Sequence, residues 1–124
     1  MIKNITKNTI IAENELIARS LWERGTGLIC RKFEKGRMDA MIFDKCSSLH
    51  TLFMKYKFDI FFLDKSKKVI TLYESASPWH IYNAKIKLFK HCTAIECPES
   101  TIKKTHTAIG DIVEWENSET EKMK

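Results

Sequence analysis

Hydrophobic residues recur in short stretches along this chain, with the spacing and length that are typical of β-strands. Residues 40–43 form one such stretch. Residues 58–63 are apolar apart from Asp59, which predicts a strand that is covered on both faces. Residues 69–74 follow after a polar loop, and the two stretches together predict a β-hairpin.

Shorter stretches extend the predicted sheet. Strands are predicted at residues 9–12, 92–97 and 110–115, and a short helix is predicted within residues 99–106. The segment between Pro78 and residue 88 is predicted to be irregular, because proline interrupts regular structure and no clear period follows.

A second short helix is predicted after Ser20. Ser20 and Glu23 have the spacing of a capping box, and Gly27 tolerates the left-handed conformation that often ends a helix. Many short strands with turn signals between them predict a mainly β fold with an α+β tendency. We expect a small barrel-like or sandwich-like antiparallel sheet with one or two short helices.

The length of 124 residues suits one domain. We assign residues 1–116 to this domain and predict that the polar residues 117–124 form a flexible tail. No stretch is long and apolar enough to span a membrane, and the first residues do not resemble an export signal. We therefore expect a cytoplasmic monomer without a membrane partner.

The cysteines and histidines do not have the close spacing of a zinc site, so no metal or other cofactor is predicted. In a reducing compartment the cysteines are expected to be thiols. These residues are Cys30, Cys46, Cys92 and Cys97.

The formal net charge of +5 comes from lysines that are scattered along the chain. Scattered lysines are typical of a solvated surface, although a basic face could also bind nucleic acid. The residues for such a face are Lys55, Lys57, Lys85, Lys87 and Lys90, with Trp79 or Tyr82 stacking on bases.

Several motifs occur in a fixed order between residues 12 and 115. They are residues 18–31, with Glu23, Arg24 and Arg31; residues 49–54, followed by Asp59, Phe62, Leu63 and Asp64; Val69, Glu74, Pro78 and Trp79; and residues 95–98, followed by Gly110 and Asp111. This ordered set resembles the domain of unknown function 192 family. The resemblance implies a compact, mostly β, barrel-like fold with one or two short helices, and it implies no established reaction.

The chain departs from the family pattern at three positions. Lys67 and Ser100 stand where the family usually has glycine, and Ile29 replaces a methionine. A left-handed conformation at a residue with a Cβ atom costs on the order of 1 kcal/mol. We therefore expect that one of the two loops has changed shape.

His50 is the first candidate for chemistry. If residues 49–54 and 58–63 form a hairpin, His50 and Met54 share a face with Asp59. A carboxylate beside an imidazole orients the ring and raises its pKa, which is half of a general-base pair. The alternative is a hydrogen-bonded pair with a purely structural role.

Arg24 and Arg31 have two possible roles. Their guanidinium groups could form bidentate salt bridges with Asp59, Asp64 or Glu74, or they could hold an anionic ligand.

Two acidic residues interrupt apolar strands. Asp59 and Glu96 are each expected to have a partner, because an isolated buried carboxylate is costly. Trp79, which follows Pro78, is typical of a packed loop anchor. It would form the rim of a ligand site if it were exposed together with Tyr82.

These observations favour a small non-catalytic module that binds an unidentified small anionic ligand or a protein partner. The predicted binding residues are Arg24, Arg31, His50, Met54, Asp59, Asp64 and Trp79.

Two alternatives stay open. The first is a small enzyme in which His50, oriented by Asp59, is the general base and an arginine holds an anionic substrate. The second is nucleic-acid binding through the basic face, which would weaken steeply with salt.

Overall fold

The computed structural model describes residues 1–18, 33, 38–51, 54–85 and 92–116. The strands in chain order are β1 (Ile2–Asn4), β2 (Thr9–Ala12), β3 (Glu15–Ile17), β4 (Ala40–Phe43), β5 (Ser48–His50), β6 (Phe58–Leu63), β7 (Val69–Ala76), β8 (Ile81–Asn83), β9 (Thr93–Pro98) and β10 (Val113–Trp115). One short helix, α1, spans Thr101–Thr105. The helix predicted after Ser20 and the predicted tail at 117–124 lie outside the described residues.

The strands form a five-stranded sheet in the order β3-β4-β9-β6-β7, a three-stranded sheet in the order β10-β1-β2, and a two-stranded ribbon of β5 and β8. Strand β6 lies between β7 and β9 and is antiparallel to both. All of its residues are buried. The prediction of a strand covered on both faces, paired with the next strand in a hairpin, is therefore confirmed.

Two apolar cores flank the five-stranded sheet. One core lies between this sheet, the three-stranded sheet and α1, and it includes Ile2, Val113, Phe61 and Ile102. The other core lies on the opposite face and includes residues of the ribbon; its members include Met41, Phe43, Phe58, Phe62, Leu49 and Ala84. Burial of each such aliphatic or aromatic side chain contributes about 1.5–3 kcal/mol. The fold is mainly β and sandwich-like, as predicted.

The predicted hairpin between residues 49–54 and 58–63 is wrong. Strand β5 instead pairs with β8, with His50 opposite Ile81. The chain leaves the strand direction after His50 because Thr51 bonds to the loop that precedes β8. The Thr51 hydroxyl donates to the Ser77 carbonyl at 2.7 Å and accepts from the His80 amide at 2.8 Å.

The segment that begins at Pro78, predicted to be irregular, therefore contains a strand, β8. Strands β1 and β3 were also not predicted. Strand β3 is only three residues long and runs parallel to β4, with Glu15 opposite Ala40. Stretches of this length carry too few residues to show a period of two.

Both positions at which the family usually has glycine keep a left-handed backbone. The φ angle is 63° at Lys67 and 76° at Ser100, so the expectation that one loop has changed shape is wrong. The Lys67 ammonium lies 4.3 Å from the centre of the Trp115 ring. This cation–π contact offsets part of the strain at Lys67.

Cys46, Cys92 and Cys97 are buried thiols in the described part of the chain. Within the same residues, no helix combines the length and the apolar character needed to cross a membrane.

Candidate functional site

The structure does not bring His50 and Asp59 together. His50 is exposed on the β5–β8 ribbon. Asp59 is completely buried on β6, where one carboxylate oxygen accepts from the Ser75 amide and the other from the Ile102 amide, both at 2.9 Å. The shared face predicted from the hairpin register is therefore wrong, because the two residues lie on strands that do not pair with each other. Asp59 instead ties β7 and α1 to β6.

The other predicted binding residues are dispersed. Met54 is buried in the core on the ribbon side of the sheet. Asp64 follows β6 and accepts from the amides of Ser66 and Lys68, which shapes the loop before β7. Arg24 and Arg31 lie outside the described residues.

Trp79 is 59% exposed and has a left-handed backbone with a φ angle of 64°. Its amide donates to the Thr51 carbonyl at 2.8 Å. Tyr82 is not exposed with it: the Tyr82 hydroxyl accepts from the Ser77 amide, and its ring lies 4.9 Å from the Tyr73 ring. The two residues therefore do not form the shared rim that would indicate a ligand site.

Glu96 is the unusual polar residue of the sheet. It lies in the middle of β9, between Met41 of β4 and Ile60 of β6, and is only 4% exposed. Within the described part of the chain, its Oε2 atom is the buried side-chain oxygen that has no hydrogen-bond partner. The expected partner of Glu96 is therefore missing at this atom, whereas Asp59 is fully hydrogen-bonded.

Burial raises the pKa of Glu96 to about 8, because an apolar environment disfavours the charged form. The pKa of Tyr56 is raised to about 12, first by burial and then by the negative charge of Glu96, while a main-chain hydrogen bond at Phe33 lowers it. The Tyr56 ring and the Glu96 carboxyl group are thus electrostatic neighbours.

Tyr56 also lines a cleft of about 280 Å³, together with Phe33, Lys57, Pro98 and Glu99. We call these five residues the aromatic cleft. The rings of Phe33 and Tyr56 contact each other edge to face at 6.5 Å, and both contact Phe58, at 6.5 and 6.4 Å.

Strand register places Glu96 on the same face of the sheet as Pro98, a residue of this cleft. Pro98 and Glu96 are two residues apart on β9, so their side chains project from the same face of the sheet. Their partners on β6 are Phe58 and Ile60, which also share that face. An aromatic lining with a buried acid behind it is the composition expected of a small-molecule site.

A second cavity of about 250 Å³ lies at the opposite end of the five-stranded sheet. Its lining includes Asp64, Lys65, Lys67, Thr93 and Trp115. Two polar residues of this cavity stabilise the protein itself. Asp64 accepts from loop amides, and the Lys67 ammonium lies over the Trp115 ring.

The sequence contained a signal for Glu96, an acid within an apolar strand, but none for its missing partner. That property depends on side chains from β4, β6 and residue 56, which are distant in the chain.

A family model described as an uncharacterized ACR, the domain of unknown function 192, matches residues 3–115. A UPF0127 protein of Thermococcus sibiricus (strain DSM 12597 / MM 739) is 37% identical over 73 residues, which cover 59% of this chain and 45% of that protein. The chain therefore spans less than half the length of this relative.

Two solved structures share the fold. One is a protein of unknown function from Novosphingobium aromaticivorans DSM 12444, with a TM-score of 0.66 and 21% identity over 82% of this chain and 74% of that one. The other is a suggested transcription regulator from Sinorhizobium meliloti 1021, with a TM-score of 0.68 and 20% identity over 81% of this chain and 79% of that one. At these identities the likeness concerns the fold alone.

Proposed function

Because this chain belongs to the domain of unknown function 192 family, whose description as uncharacterized names no activity, we propose from its geometry that it is a small non-catalytic binding module whose ligand occupies the aromatic cleft. The observation that carries this proposal is the Oε2 atom of Glu96, which is buried and has no hydrogen-bond partner among the described residues. Glu96 lies two residues from Pro98 of the cleft, on the same face of β9.

The comparison with other buried acids supports a role in binding. Both oxygens of Asp59 accept from main-chain amides, and Asp111 accepts from Asn4, Lys7 and the Ala108 amide. An unpaired buried polar group costs about 1–3 kcal/mol. Within the described part of the chain no hydrogen bond offsets this cost at Oε2 of Glu96, as is typical of groups that meet a ligand.

Binding is favoured over catalysis by the separation of the residues predicted to catalyse. His50 is exposed on the ribbon, while the Asp59 carboxylate is engaged by two main-chain amides. A general base oriented by Asp59 would need both side chains in one site. The groups that line the cleft supply apolar surface, two rings and two opposite charges, which suit recognition.

The proposal is tested by an NMR titration with three small probes of matched shape. These are choline, which is cationic, 3,3-dimethylbutan-1-ol, which is neutral, and 3,3-dimethylbutanoate, which is anionic. We expect at least one probe to cause saturable shift changes at the amides of Tyr56, Lys57 and Glu99, and Tyr56→Ala to abolish them.

His50→Ala is the matched control, because this exposed residue lies on the ribbon and does not line the cleft. It should leave the titration unchanged, whereas the site predicted from the sequence requires it to abolish binding. Absence of saturable shifts at the cleft with all three probes would refute the proposed function.

A further inference from the structure

We infer that the ligand of the aromatic cleft is a small organic cation carrying a substituted ammonium group, held between the aromatic rings and the Glu96 carboxylate. This inference rests on the proposed function and adds the chemical class of the ligand. It follows from the rings, from the unpaired oxygen and from the charges around them.

The rings supply the first part of the argument. Phe33 and Tyr56 line the cleft and contact Phe58, so three aromatic rings converge within 6.5 Å of one another. The electron-rich face of an aromatic ring attracts a cation within about 6 Å of its centre, by about 0.5–2 kcal/mol per contact. Clusters of rings are the usual means by which proteins recognise quaternary ammonium groups.

The unpaired oxygen supplies the second part. Oε2 of Glu96 is buried and has no hydrogen-bond partner among the described residues. A cation next to it would provide the opposite charge that a buried carboxylate needs. A neutral ligand would leave this need unmet, and an anion would increase the repulsion.

The charged groups around Glu96 are consistent with a positively charged ligand. Among the described residues, Glu99 lines the cleft together with Lys57, whose side chain is positively charged. In the same part of the structure, burial raises the pKa of Tyr56 and of Cys97, the charge of Glu96 raises both further, and Asp59 and Asp39 also contribute negative charge at Cys97. Within the described part of the chain, acidic groups around Glu96 therefore outnumber Lys57. The inferred charge is opposite to the anionic ligand expected from Arg24 and Arg31.

Binding of a cation should release a proton. Because the pKa of Glu96 is raised to about 8, the ligand-free carboxyl group is mostly protonated at pH 7 and mostly ionised at pH 9. The affinity for a cation should therefore rise about tenfold between these pH values, as the population of the carboxylate does. The neutral probe should show no such dependence.

The test is calorimetric titration of the full chain with choline and its neutral and anionic counterparts at pH 7 and pH 9. We expect choline to bind at least tenfold more tightly than 3,3-dimethylbutan-1-ol at pH 9. Glu96→Gln, which keeps the side-chain shape, should remove this preference and the pH dependence while leaving the neutral probe unaffected. His50→Ala, at a residue of the ribbon that does not line the cleft, should retain the preference for choline.

The outcomes separate the two proposals. If the neutral or anionic probe binds the cleft as tightly as choline, the inference about the cation fails and the proposed function stands. If none binds, both fail.

A third result would also overturn the inference. If the pKa of Glu96 in the ligand-free protein lies at or below its ordinary value and rises in Arg24→Gln or Arg31→Gln, the chain supplies its own cation. The pKa is measured by carboxyl ¹³C NMR, which also shows whether each variant is folded.

Discussion

Asp59, Glu96 and Asp111 are three buried acids whose surroundings assign them different tasks. Burial alone would raise the pKa of Asp111, but hydrogen bonds from Asn4, the Ala108 amide and Lys7 outweigh burial, and the pKa is lowered. Asp111 therefore stabilises the fold above the pKa that it has when unfolded, and this contribution is lost as the pH falls through its folded pKa. Glu96 makes the stability depend on pH in the opposite direction.

In the folded state the pKa of Glu96 is raised from 4.5 to about 8. The stability of the ligand-free protein should therefore fall as the pH rises through this range. Below this window both states hold the proton, and above it the folded state carries an unpaired buried charge. The expected loss is roughly 3–5 kcal/mol. Urea unfolding at several pH values measures it.

Glu96→Gln should remove this fall, because an amide does not titrate in this range. Glu99→Gln is the control: this side chain is exposed, and the dependence on pH should persist. If the free energy of unfolding changes equally with pH in Glu96→Gln and in the natural chain, Glu96 ionises without a cost to stability.

Ser100 precedes α1 with a φ angle of 76° and makes no side-chain capping bond. Ser100→Gly should therefore stabilise the protein by about 0.5–1 kcal/mol, since glycine adopts this conformation without strain. Ser66→Gly, at a position without positive φ, should instead destabilise by a similar amount. Thermal unfolding of both variants is the measurement, and a loss of stability in Ser100→Gly would contradict the argument.

At the scale of elements, Thr51 connects the ribbon to the neighbouring loop. Its side chain is fully buried and bonds to Ser77 and His80. Thr51→Val keeps the shape but removes the hydroxyl group, so the Ser77 carbonyl and the His80 amide lose a partner. We expect a loss of about 2–3 kcal/mol in urea unfolding.

Thr51→Ser retains the hydroxyl group and is the matched control, with a much smaller expected loss. Hydrogen exchange at the His80 amide should become faster in Thr51→Val. If both substitutions are equally destabilising, packing of the methyl group would account for the effect instead of the hydrogen bonds.

The elements that could be predicted from the sequence are those in which neighbours along the chain also pair. Strands β6 and β7 were predicted as a hairpin because two apolar stretches flank a polar loop. Alternation in residues 49–54 predicts which side chains share a face, but it does not identify the partner strand. That partner, β8, depends on the hydrogen bonds of Thr51 with residues 26 and 29 positions away.

The same limit applies to the candidate site. A local hairpin would have joined His50 and Asp59, whereas the aromatic cleft combines residue 33, residues 56–57 and residues 98–99. An acid in an apolar strand is visible in the sequence. Whether it has a partner depends on the packing of distant strands, and the family pattern does not supply that information.

At the scale of the whole molecule, the five-stranded sheet is the common support of both cavities. Antiparallel β6 and β9 extend from the pair of Phe58 and Pro98, of which Pro98 lines the aromatic cleft, to the second cavity, which Thr93 and Asp64 line. The middle of both strands is buried on both faces. The strands therefore hold the groups of the two ends at fixed positions.

The pairing of β1 with β10 has a consequence for folding. Ile2 lies opposite Trp115, and the Ile5 amide donates to the Ile112 carbonyl. This sheet closes only when segments separated by nearly the whole chain meet, and such contacts form slowly. In pulsed hydrogen exchange during refolding, the Ile5 amide should gain protection later than the amides of β6 and β7. During synthesis, β1 would keep an open edge until β10 had been made.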